Sequence, residues 1–171
     1  MSNIEISVSE AKEATINTEY KMPVNIINYI KLSPTAQAPV QGSEWAAGWD
    51  LHADLEGKNL ISLVPGEVKK ISTGIAIALP QGTFGAIYPR SGNATKRGLV
   101  LANTVGIIDA DYRGAVIVAM KNTSNEIQYI EQGERIAQLI VQPYVNVSFS
   151  ETDSIGTTAR GEGGFGSSGN K

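Results

Sequence analysis

The sequence predicts an all-β protein, and three observations carry that expectation. From about residue 23 onward, short segments rich in β-branched residues alternate with turn residues at the spacing of a sandwich or barrel. The clearest of them shows a two-residue period, and no stretch after residue 23 sustains a helical one. In Ile71 to Leu79, the large residues Ile71, Ile75, Ile77 and Leu79 fall on odd positions, the pattern of one strand with one buried face, and Pro80-Gln-Gly82 ends it. Comparable runs are Val24 to Ile30, Thr83 to Tyr88, Ala115 to Met120 and Arg135 to Val141, each bounded by Gly, Pro, Asn or Asp. Between two of them, Ser91 to Lys96 predicts a single short turn of helix.

A chain of 171 residues with 42% hydrophobic content can bury one sizeable core, so one β domain is expected over residues 23–150. Residues 1–22 form an N-terminal extension in which Ser7-Val-Ser-Glu10 fits a helix capping box, and no role is assigned to it. Residues 151–171 form a Gly-rich C-terminal arm. Lys+Arg 14 against Asp+Glu 17 gives a net charge of -3, which argues against nucleic acid and anionic membranes as partners. Residues 1–22 are too polar for a signal peptide, and no apolar run approaches the roughly 20 residues that span a bilayer. With no cysteine there is no disulfide, no thiolate nucleophile and no Cys-containing zinc site. A reducing compartment is tolerated, so the expected location is the cytoplasm, or the host cytoplasm or nucleus for a viral source. All five arginines, Arg90, Arg97, Arg113, Arg135 and Arg160, lie in the second half, where anions are expected to bind.

Individual segments point to phosphate chemistry. Arg160-Gly-Glu-Gly-Gly-Phe-Gly-Ser-Ser-Gly169 holds five glycines, which let backbone N–H groups turn toward an anion, although a flexible linker end has the same composition. Phe165 gives that tail an aromatic face able to cover a nucleobase. Pro89-Arg-Ser-Gly92 places Arg90, the Ser91 hydroxyl and the following amides at a strand-to-loop corner, an anion-binding arrangement that is also a common tripeptide. Asn103 to Gly114 reads as a hairpin, with Gly106 permitting an unusual backbone angle and Asp109 near a bend; such aspartates are more often turn-formers than catalysts. His52, the single histidine, has no Cys or Ser partner in view and reads as structural. Trp45 and Trp49 read as core or interface packing, and Lys69-Lys70 as a solvated strand edge.

In their order and spacing these segments resemble the five motifs of the trimeric dUTPase family. Ala46-Ala-Gly-Trp-Asp-Leu51 resembles the first, Pro89-Arg-Ser-Gly-Asn-Ala-Thr-Lys-Arg-Gly-Leu99 the second, and Gly106-Ile-Ile-Asp-Ala-Asp-Tyr-Arg-Gly114 the third. Gly133-Glu-Arg-Ile-Ala-Gln-Leu139 resembles the fourth, and the tail from Arg160 to Gly169 the fifth. The likeness runs from about Val24 to Asn170, departing at Trp49, where the family usually has Tyr, and at Asn93, where Leu is common. It implies a jelly-roll-like β fold, a homotrimer with shared sites, and an arm that crosses to a neighbour. It implies hydrolysis of dUTP to dUMP and pyrophosphate with Mg²⁺ as cofactor. Asp109 would activate the attacking water, Tyr112 would stack under the deoxyribose, and uracil would pair near Asn103 and Gly106. Arg90, Ser91, Gly92 and Gln138 would hold phosphates; Arg160, Gly166, Ser167 and Ser168 would close over them, and Phe165 over the base. Asp50 would steady the hydrated metal, with Arg135 as structural support. The charge balance fits, because phosphoryl substitution needs charge neutralisation that an acidic chain lacks without a divalent cation.

Two other readings stay in view. A dCTP deaminase shares the expected fold but needs a glutamate on the strand after the third motif, where this chain has Ala119. A regulatory module that keeps the nucleotide pocket would differ in having no need of Asp109 or Arg160.

Overall fold

The computed structural model describes residues 25–164. Twelve strands and one helix follow in order: β1 (Asn28–Lys31), β2 (Val40–Gln41), β3 (Trp49–His52), β4 (Leu60–Leu63), β5 (Val68–Ser72), β6 (Ile75–Ala78), β7 (Thr83–Pro89), α1 (Ser91–Arg97), β8 (Leu99–Leu101), β9 (Gly106–Ile108), β10 (Ile117–Asn122), β11 (Gln128–Glu131) and β12 (Arg135–Pro143). Every strand pair is antiparallel. The largest sheet has the order β2-β3-β12-β7-β9, a second is β5-β10-β8, and β1-β6 and β11-β4 are two-stranded. This is the all-β, jelly-roll-like fold with one short helix that the sequence leads one to expect.

The core lies between these sheets. Leu51, Leu63, Ile75, Ile87, Leu99, Met120, Ile130 and Ile136 are its largest fully buried apolar side chains. Burying each removes apolar surface worth about 1.5–3 kcal/mol. The odd-numbered residues of 71–79 are buried, but so is Ala76, so burial is not confined to one face, and the segment is two strands rather than one. Gly74, at φ +67, turns the chain between β5 and β6, which pair with β10 and β1 respectively. A side chain there would be strained and would meet the Ala36 Cβ at 2.7 Å, so the break is built into the sequence at that glycine. Other bounds shift modestly. The expected run from Val24 forms a strand only from Asn28, and Val24 itself lies outside the described residues, as does the extension over residues 1–22.

The expected short helix is present as α1, closed by Gly98 in the left-handed region at φ 66, with Lys96 and Arg97 in its last turn where they complement the helix dipole. Trp45 and Trp49 are 65% and 43% exposed, so the single chain does not use them as core and the interface reading is left. Lys69 and Lys70 lie on β5, an edge strand of its sheet, in agreement with the sequence. The segment from Asn103 to Gly114 is not a self-paired hairpin. β8 pairs with β10 while β9 pairs with β7, so the turn between them joins two sheets. Gly106 also lacks the unusual backbone angle; the positive φ belongs to Thr104, at 64. Gly106 is needed instead because a Cβ there would lie 3.2 Å from the Ile87 Cβ across the strand pair.

Asp54, only 3% exposed, knots the N-terminal loop to the turn before β12. It accepts hydrogen bonds from Ser33 Oγ, from Thr35 Oγ1 at 2.6 Å and from Gln132 Nε2 at 3.4 Å. Burial works to raise its pKa, and the hydrogen bonds from Ser33, Thr35, Gln132 and the Glu56 backbone outweigh it, so the carboxyl lies below its ordinary value. A depressed carboxylate adds stability that is present above its unfolded pKa and is lost as pH falls through the folded one. Asp54→Asn is therefore expected to lower stability at pH 7 by about 1–3 kcal/mol. That deficit should shrink below roughly pH 4. Urea midpoints of both proteins across this range check it; a deficit that does not change with pH contradicts it.

Candidate active site

Three separate segments converge on Asp50. This residue is buried on β3, and its carboxylate accepts from Arg90 Nε at 2.8 Å and from an Arg135 terminal nitrogen at 3.2 Å. The Arg135 carbonyl in turn accepts from Arg90 at 3.3 Å and from Asn93 Nδ2 at 3.1 Å. Strand register explains the convergence, since Arg135 lies opposite His52 and Gln138 opposite both Asp50 and Tyr88. A bulge between Arg135 and Ala137 re-aims the start of β12 so that Arg135 can reach Asp50. Gln138 donates from Nε2 to the Pro89 carbonyl at 3.0 Å, fixing the corner from which Arg90 projects. Its Oε1 fills the space beside Gly48, where a Cβ would approach to 2.6 Å.

The result is an electropositive corner at the end of β7. Arg90 keeps N–H donors beyond those already used. Ser91 and Gly92 are exposed on the first turn of α1, which has no side-chain cap. A Cβ on Gly92 would meet nothing within 4 Å, so the space beside its Cα is open. These groups can receive an anion. Among the described residues, no group of three or more His, Cys, Asp or Glu could cage a metal ion.

The second cluster lies on β9 and the turn after it. Asp109 is exposed and follows β9 directly, beside a cleft of ≈ 570 Å³ lined by Phe84, Ile107, Asp111 and Tyr144. Its carbonyl accepts from the Tyr112 amide at 3.1 Å, closing the turn. The Tyr112 ring lies against Gly114, where a Cβ would come within 2.6 Å of Cζ, and its hydroxyl donates to the Ala115 carbonyl at 3.1 Å. Asn103 and Gly106 line another cleft of ≈ 220 Å³.

One chain does not bring the two clusters together. Gly85 pairs with Ile108, so Asp109 continues the ladder opposite Phe84, whereas Arg90 stands at the far end of β7. Six residues of strand separate those positions, about 20 Å at the usual rise. Arg160 follows the last strand in the chain and lies in an exposed turn, where its Nε donates to the Gly163 carbonyl at 2.8 Å. Phe165, Gly166, Ser167 and Ser168 lie outside the described residues.

Several residues that shape the site carried little sequence signal. Gly48 matters only through contact with Gln138, 90 residues away in the chain, and Asn93 only by reaching the Arg135 carbonyl from a buried position. His52 is 8% exposed with its Nδ1 unpartnered. Burial lowers its pKa, Asp50 opposes that, and Arg135 and Arg90 add to it, so it is neutral beside the arginines.

Comparison with known proteins bears on the family and the fold. The dUTPase family profile matches residues 35–169. The deoxyuridine 5'-triphosphate nucleotidohydrolase of Escherichia phage T5 is 44% identical over 146 residues, covering 83% of this chain and 98% of that protein. The enzyme of the same name from Corynebacterium diphtheriae is 46% identical over 140 residues, covering 81% and 90%. A mutant dUTPase of Staphylococcus bacteriophage 80alpha, solved with dUpNHpp, superposes with a TM-score of 0.76 at 28% identity over 85% of this chain and 99% of that one. With the family profile spanning most of its length and full-length relatives above 40% identity, the chain belongs to the dUTPase family.

Proposed function

We propose that the chain carries out its family's reaction, hydrolysis of dUTP to dUMP and pyrophosphate, at sites each assembled from several copies of itself. The observation that carries this reading is the distance of about 20 Å between Asp109 and Arg90 in one chain. A triphosphate cannot be held at one end of β7 while the water that attacks it is activated at the other. Asp109 of one copy must therefore meet the Arg90 corner of another. The exposed apolar residues support association: Trp45, Trp49, Val145, Val147 and Phe149 would all be left in water by a lone chain. A homotrimer, as the motifs imply, closes such a contact by symmetry.

The reaction breaks the bond between the α-phosphorus and the oxygen bridging to the β-phosphate. Water attacks the α-phosphorus, Asp109 takes its proton, and pyrophosphate leaves. Arg90, with Ser91 and Gly92 and the second N–H of Gln138, receives the phosphates. Asp50 keeps Arg90 extended toward them, and Arg135 holds Asp50. Tyr112, fixed against Gly114, presents its ring to the deoxyribose, and Asn103 and the Gly106 backbone meet the base. The arm brings Arg160, Phe165, Gly166, Ser167 and Ser168 over the bound nucleotide and excludes water.

The donor set fits Mg²⁺ held mainly by phosphate and water. Both Asp50 oxygens are engaged by arginines yet keep lone pairs for a metal-bound water, and Mg²⁺ needs no protein cage. When bound, the ion would neutralise charge on the phosphate oxygens and orient them.

Asp109→Asn is the test of the base: turnover should fall at least ~10²-fold while nucleotide affinity is largely kept. Pyrophosphate release at a near-normal rate would rule Asp109 out. Tyr112→Ala should narrow the preference for dUTP over UTP, because the ring excludes a 2′-hydroxyl by volume. Parallel kcat/KM measurements on the two substrates decide it, and an unchanged ratio would show that Tyr112 is not the discriminator.

A further inference from the structure

The cleft of ≈ 220 Å³ that contains Asn103 and Gly106 has one charged lining residue, Lys70, which belongs to none of the five motifs. Lys70 is the register partner of Ala119 on β10, and the Ala119 carbonyl accepts from the Ala102 amide at 2.8 Å on the far side. Lys70 and the Ala102–Asn103 turn therefore flank Ala119. Two inter-strand spacings put their backbones about 10 Å apart, enough for a flat six-membered ring to lie between the side chains. Ala119 is small and leaves that space open. The two neighbouring lysines differ in their partners. Lys69 pairs with Glu67 at 3.1 Å and donates to the Ser62 carbonyl, whereas Lys70 has no hydrogen bond or ion pair among the described residues.

We propose that Lys70 is a specificity-determining residue that reads the C4 edge of the pyrimidine from across the cleft. This rests on the reading above that Asn103 and Gly106 receive the base. The sugar is attached at N1 and must leave through the open side, so the ring's opposite corner, C4, points inward. There uracil carries a carbonyl oxygen, a pure acceptor, and cytosine carries an amino group, a donor. An ammonium group has three donors and no acceptor. It makes a charge-assisted hydrogen bond to the uracil oxygen and opposes the cytosine amino group donor to donor. The selection is then made by a side chain as well as by turn backbone, and with a group whose charge repels the wrong base.

Lys70→Met keeps the aliphatic stem and removes the charge, and position 70 is exposed on an edge strand, so folding should survive. The ratio of kcat/KM for dUTP over dCTP is expected to fall about 10- to 100-fold, the scale of a lost charged hydrogen bond. The fall should come mostly from a raised KM for dUTP and a lowered KM for dCTP. Lys70→Arg should recover most of the preference. An unchanged ratio in Lys70→Met would overturn the proposal, as would a uniform loss on both substrates with altered oligomeric mass, which would make Lys70 a contact between copies. Asn103→Ala run alongside separates the two readings. If it raises the dUTP KM while Lys70→Met does not alter selection, the base site stands and the role of Lys70 falls. If neither variant changes KM, the base lies elsewhere and both fall.

Discussion

The Asp50 carboxylate, with one arginine on each of its oxygens, is the interaction on which the arginine-bearing end of the five-stranded sheet depends. It sits in a low-dielectric position on a central strand, so removing either partner would leave a charge poorly compensated. Arg90 comes from the loop after β7 and Arg135 from the start of β12, so the pair ties three neighbouring strands at one end of the five-stranded sheet. Everything else there serves that tie. The bulge aims Arg135, Gln138 pins the Pro89 carbonyl, Gly48 makes room for Gln138, and Asn93 anchors α1 to the Arg135 carbonyl. What emerges is a guanidinium held in one orientation, which would reduce the ordering cost of binding the phosphates of the proposed substrate.

The same sheet then imposes a length scale. β7 is a rigid strand with the arginine corner at one end and the Asp109 side of β9 at the other, and pairing with β12 and β9 fixes both. A strand cannot bend its ends together, so Asp109 and Arg90 can serve the proposed reaction together only between molecules. On the function proposed above, oligomerisation follows from the chemistry, and the apolar residues exposed on the single chain would supply the contact.

Much of this was legible in the sequence. Alternation in 71–79 marks Ile71, Ile75, Ile77 and Leu79 as buried because side-chain period is local, while the burial of Ala76 on the other face depends on packing that the period does not report. The break at Gly74 is not legible because the alternation of large residues runs on across it, and only the positive φ and the Asp54 and Ala36 contacts show the turn. Asn103–Gly114 was read as a hairpin because turn residues flank β-rich segments, and only the ladder to β7 reveals two sheets. The motif residues were found as a set, through order and spacing. Gly48 and Asn93 stand inside the quoted motifs, but their contacts with Gln138 and the Arg135 carbonyl lie 40 or more residues away and cannot be read locally. Nothing local in a sequence encodes such pairs.

The claim that each site is shared between copies is tested most directly by mixing two inactive chains. One carries Asp109→Asn and keeps the arginine corner; the other carries Arg90→Gln and keeps the carboxylate. After co-refolding, with mixed oligomers verified by native mass spectrometry, some sites combine an intact Asp109 from the second chain with an intact Arg90 from the first. Hydrolysis of dUTP should reappear in proportion to the fraction of such sites. If mixed oligomers form and dUTP hydrolysis stays at the level of the separate variants, Asp109 and Arg90 of one chain serve the same site and the account is wrong.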